Sequence, residues 1–143
     1  METKYLVGID GSQCGERAID YVIERARENG GAILVAHVIE WSPYAFSTPE
    51  ENEHRHQRRE QELTRARDGV LAPVVERVRE AGVEADGLAA HGHVAKTLVR
   101  LAKDNDVTCI VLGRKGSSRL AQFFGSVASH VVQITDRPVT VVP

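Results

Sequence analysis

With 143 residues, 42% of them hydrophobic and 27% charged, the chain has the length and composition of one globular domain that needs no disulfide or metal staple. A formal net charge of -2 gives no electrostatic footprint for nucleic acid. The opening METKYLVGID holds only a short apolar run between charges, which reads as neither a signal peptide nor a membrane span. Cys14 and Cys109 lack CxxC or zinc-type spacing, so reduced thiols and a cytoplasmic location are expected.

YLVGID (5–10) reads as a buried strand, because its apolar residues are nearly continuous. A helix is predicted from Ser12 to Asn29, with Ala18, Ile19, Val22, Ile23 and Ala26 at helical steps and Gly30-Gly31 as its stop. AILVAHVI (32–39) is a second buried strand. WSPYAFSTPE (41–50), with two prolines and three aromatics, cannot stay regular for long. The charged segment beyond it carries Leu63, Ala66 and Val70, then Leu71, Val74, Val75 and Val78. This predicts one long helix, kinked or interrupted near Gly69–Pro73, where proline removes a donor and crowds the preceding turn.

VEADGLAAHG (83–92) is the weakest strand signal. A helix follows over Val94–Asn105 with Ala95, Leu98, Val99 and Ala102 on one face. VTCIVLG (107–113) is a strongly apolar strand, Val127, Val131 and Ile134 mark a fourth helix, and RPVTVVP (137–143) is a last strand. Strands alternating with helices imply an α/β fold, a parallel sheet covered on both faces by right-handed crossovers. Ligands of such sheets sit beyond the carboxyl ends of the strands, where the winding reverses. The two glycine-bearing strand ends, Asp10-Gly11-Ser12 and Gly113–Gly116, form one site only if the first and fourth strands are neighbours.

Asp10 can bond a ribose hydroxyl or a metal-bound water, or it and Ser12 can simply cap the first helix. IDGS also approaches the DxDGT motif of haloacid-dehalogenase-type phosphatases, but Gly8 stands where that chemistry needs its nucleophilic aspartate. GRKGSSRLAQFFGSVAS (113–129) fits neither a Walker A loop nor a GxGxxG fingerprint. Its glycines allow close approach to a ligand, and Gly125-Ser126 opens a helix whose free N–H groups attract anions. By composition alone the stretch is a phosphate cradle or a connector. Arg114, Lys115 and Arg119 add charge there or face water. His54 and His56, two apart, do not share a helical face, and no catalytic triad or general base is apparent.

Taken together these residues resemble the universal stress protein family along the whole chain. The resemblance implies a single domain over residues 1–143, Rossmann-like and of the adenine-nucleotide alpha hydrolase type, with five parallel strands in the order 3-2-1-4-5. The family's nucleotide-binding branch carries G-x2-G-x9-G-S/T after the fourth strand. Here Gly113, Gly116, Gly125 and Ser126 supply that pattern, followed by Val127, with eight residues between Gly116 and Gly125 instead of nine. The resemblance implies ATP or AMP as ligand, with Mg²⁺ carried by the nucleotide. Ribose would lie at Asp10, adenine at Val38 and Ile9 over Leu112, and phosphates at Gly113, Gly116, Gly125 and Ser126. Val94 replaces a family proline, so a looser turn is expected before the third helix. The resemblance further implies a regulatory ligand in a stress response, with at most slow hydrolysis, and a homodimer through the last strand (138–143). The alternative is a nucleotide-independent dimeric module acting on a client protein such as a transporter. No nucleic-acid or membrane partner is expected.

Overall fold

The structure is a computed structural model that describes residues 3–10, 13–40, 49–114 and 126–143. Its strands are β1 (Lys4–Gly8), β2 (Ala32–Glu40), β3 (Glu84–Gly92), β4 (Cys109–Gly113) and β5 (Val139–Val142). The α-helices are α1 (Gln13–Asn29), α2 (Pro49–Arg65), α3 (Ala72–Glu80), α4 (Val94–Asp104) and α5 (Ser126–Ile134). All neighbouring strands run parallel in the order β3-β2-β1-β4-β5. The expected architecture and strand order are those observed. β1 is shorter than the run that predicts it, and Asp10 lies beyond its end.

Strand alternation divides the core in two. Val7, Ile9, Ile33, Val35, Ala85 and Val111 pack with α1 and α3 on one face. Leu6, Leu34, Ala36, Val38, Ile110 and Leu112 pack with α4 and α5 on the other. Central strands buried on both sides need continuous apolar sequence, which is why β1, β2 and β4 were plain to read. Tyr5, Leu6 and Val7 are all buried, and each fully buried aliphatic side chain contributes about 1.5–3 kcal/mol. β3 reads weakly because it is an edge strand with Glu84 and Asp86 exposed, yet it pairs with β2 from Ala32↔Glu84 through Glu40↔Gly92.

The predicted long helix is broken by a π-helical segment, Ala66–Leu71, where the Ala72 N–H reaches back to the Arg67 carbonyl. Helical geometry resumes at Ala72, with Pro73 in the first turn of α3, where a missing N–H costs least. The break falls where the sequence places it, but its form is a wide turn.

The turn from β3 into α4 is closed. Gly92 adopts φ +149°, a region that other residues rarely enter. His93 then caps α4: its Nδ1 accepts from the Lys96 N–H at 3.4 Å, and its carbonyl accepts from the Thr97 N–H at 2.8 Å. Val94 thus begins the helix with a capped turn ahead of it.

Candidate functional site at the carboxyl ends of the strands

The winding of the sheet reverses between β1 and β4. Gly8 of β1 stands opposite Leu112 of β4 and Ala36 of β2 in register, so the two glycine-bearing ends are adjacent, about 5 Å apart. The condition for a shared site is met. Gly8 itself is required by packing: a Cβ there would stand 2.9 Å from Leu112 Cδ2 and 3.3 Å from Leu98 Cδ1.

Beyond Gly8 the chain stays attached to β2 for one more residue. The Ile9 N–H donates to the Ala36 carbonyl at 2.9 Å, and the Ile9 carbonyl accepts from the His37 ring Nδ1 at 2.8 Å. Asp10 follows, exposed at the rim. Leu112 (4% exposed) and Val38 (9%) are buried in the α4–α5 layer beneath the ends of their strands. Ile9 is equally buried, but its side chain packs in the α1–α3 layer. The two residues assigned by resemblance to adenine, Ile9 and Val38, thus point to opposite faces of the sheet.

Gly113 ends β4 opposite Val142 of β5, and the Arg114 N–H donates to the Val142 carbonyl at 2.7 Å. Ser126 opens α5 and is exposed, while Val127 is partly buried against the α4–α5 core. Gly116 and Gly125, with the whole stretch 115–125, lie outside the described residues. Ile9, Asp10, Val38, Leu112, Gly113, Ser126 and Val127 are therefore the expected site residues that the structure carries to this end of the sheet, Ile9 with its side chain on the opposite face from Val38.

Histidines cluster at the same end. His91 bonds Glu62 of α2 through Nε2 at 2.8 Å, and the His93 and His130 rings meet edge to face at 5.1 Å. Among the described residues no group of three or more His, Cys, Asp or Glu is arranged to hold a metal ion. No helix among them is long and apolar enough to cross a membrane. The contact of His37 was missed by the sequence reading, though a signal exists: it is the one polar side chain inside the apolar run AILVAHVI.

A doubly wound parallel sheet with its switch point between β1 and β4 defines a class of α/β protein that takes ligands at that rim. The family model described as the Universal stress protein family matches residues 1–143. The chain belongs to that family. It is 30% identical over 152 residues to the universal stress protein YxiE of Bacillus subtilis, covering 99% of each chain. Among solved structures it is similar to universal stress protein UspA from Lactobacillus plantarum, with a TM-score of 0.84, 22% identity, and 99% and 97% of the two chains covered. It is also similar to the universal stress protein from Archaeoglobus fulgidus solved in complex with dAMP, with a TM-score of 0.66, 22% identity, and 99% and 98% covered.

Proposed function

We propose that the chain binds an adenine nucleotide, ATP or AMP, as a regulatory ligand in a cytoplasmic stress response. The observation that carries this reading is the adjacency of the β1 and β4 ends, with Asp10 beyond one and Gly113 closing the other. The dAMP complex of the Archaeoglobus relative supports the ligand class. In this reading Asp10 accepts from the ribose hydroxyls. Adenine packs near Val38 and Leu112, with Ile9 supporting from the opposite layer. Phosphates lie over Gly113, Gly116, Gly125 and Ser126, with Val127 holding the helix start. Backbone N–H groups and the amino end of α5, a nine-residue helix, balance their charge. Asp10 and Ser126 present oxygen donors of the kind Mg²⁺ takes, and the ion enters with the phosphates that supply most of its ligands. In this reading the nucleotide is held rather than turned over, with slow hydrolysis at most.

Titration calorimetry with ATP–Mg²⁺ and with AMP tests this. Saturable one-site binding is expected, and Asp10→Ala should weaken it about ten-fold, as for loss of a charge-assisted hydrogen bond. Absence of both heat and thermal shift at millimolar nucleotide would remove the reading. It would favour the second one, a nucleotide-independent dimeric module that docks on a client protein. The eight-residue spacing between Gly116 and Gly125 is the observation on that side.

A further inference from the structure

We propose that His37 is a positioning residue of this site: its imidazole fixes the peptide after Ile9 and so aims the Asp10 carboxylate at the ligand. The inference rests on the adenine-nucleotide reading above. β1 ends at Gly8, so Ile9 lies past the regular ladder, with its side chain buried in the α1–α3 layer and its backbone left to find partners on β2. Two bonds from consecutive residues of β2 hold it. The Ala36 carbonyl takes the Ile9 N–H at 2.9 Å, and His37 Nδ1 gives its proton to the Ile9 carbonyl at 2.8 Å.

A peptide unit is planar, so the Ile9 carbonyl lies in one plane with the nitrogen and Cα of Asp10. Pinning that oxygen while the Ile9 nitrogen is also pinned fixes both soft dihedrals of Ile9. The Cα of Asp10 is then set in position before any ligand arrives, and its own φ and side-chain torsions are the freedom that remains. A carboxylate held this way gives up less freedom on binding, which appears as affinity. The bond also fixes the proton on His37. A carbonyl oxygen only accepts, so the neutral ring carries its hydrogen on Nδ1 and leaves Nε2 as the acceptor. His37 is half-buried on β2 and anchored to the sheet, while Asp10 is exposed and lies outside it. The rigid element therefore supplies the contact and the ligand-binding group receives its effect.

Three substitutions of His37, one of them repeated in an Asp10→Ala background, and one spectroscopic measurement test the role. Asn at position 37 can place an amide N–H where Nδ1 stands. Gln moves its donor further out, and Leu removes it. Nucleotide affinity measured by calorimetry with AMP and with ATP–Mg²⁺ should fall about ten-fold in His37→Leu and His37→Gln, and stay within about two-fold of wild type in His37→Asn. In an Asp10→Ala background His37→Leu should have no further effect, because it acts through that carboxylate. Nitrogen-15 NMR of the neutral ring should show Nδ1 protonated. A protonated Nε2 with bare Nδ1 overturns the contact itself. Wild-type affinity in folded His37→Leu and His37→Gln, whatever their loss of melting temperature, overturns the positioning role and leaves a structural clasp. Failure of the wild-type protein to bind either nucleotide overturns the reading beneath it, a result separate from the other two. Should His37→Leu not fold, the Gln and Asn pair still decides.

Discussion

Gly92 shows how a single position can be committed twice. Its φ of +149° is costly for any side chain, and a Cβ there would stand 2.5 Å from Thr97 Oγ1. Gly92→Ala should therefore destabilise the protein by about 1–3 kcal/mol, read as a lowered midpoint in urea unfolding with unchanged m. Opening Gly30 to alanine is the control: its φ of +69° is strained, but nothing lies within 4 Å of the added methyl, so the loss should be smaller. At this scale the sequence was only partly legible. Asp10 and Gly113 stood out because a carboxylate and a glycine close apolar runs. His37 did not, because its role is set by a neighbouring strand end 28 residues away in sequence. The split of Ile9 and Val38 between two faces follows from strand parity, which requires the register between β1 and β2 to be known.

The elements show a second kind of hidden instruction. At about 100° per residue, the stripe Leu63, Ala66, Val70 and the stripe Leu71, Val74, Val75, Val78 differ in direction by one residue's rotation. A straight α-helix would turn one of them away from the sheet. The π-helical segment from Ala66 to Leu71 takes up the extra residue and brings both stripes to the same side, with Ala66, Leu71, Val75 and Val78 buried. Pro73 marks the place in the sequence, but the phase of the apolar residues sets the form. Deleting Gly69, which is exposed, together with Pro73→Ala should convert the segment to α-helix and keep a cooperative thermal transition within a few degrees of wild type. Deleting Arg77 from α3 should instead turn the residues that follow it, Val78 among them, out of the core and lower the midpoint sharply, a contrast circular dichroism melts will resolve.

For the whole molecule, the alternation of strands and helices was legible because central strands must be apolar throughout. The strand order came from the family resemblance, since nothing local states which strand β4 joins. That order leaves β5 at an edge, pairing with β4 alone among the described residues. The carbonyls of Pro138 and Val142 accept from Ile110 of β4 and from Arg114 just beyond it. By alternation, Val139 and Val141 therefore turn their N–H and C=O groups to the open edge, a surface that proteins cover or pair. Pairing of two copies along residues 138–143 is our reading of that edge. Light scattering after size exclusion should give a dimer at micromolar concentration for wild type and a monomer for Val141→Pro, which removes an edge donor and leaves the bonds to β4.

The crossover between β2 and β3 has a further reach. Contacts along it run in strict reverse order against β3: Glu62 meets His91, Leu71 and Val75 lie over Gly87, and Arg79 bonds the Ala85 carbonyl. Glu62 is thus already level with the end of the strand. The residues before it, Pro49 to Gln61, continue as about 20 Å of helix beyond that contact. The carboxyl end of β3 is consequently flanked by an overhanging helix, so the two edges of the sheet differ: β5 is bare among the described residues and β3 is buttressed.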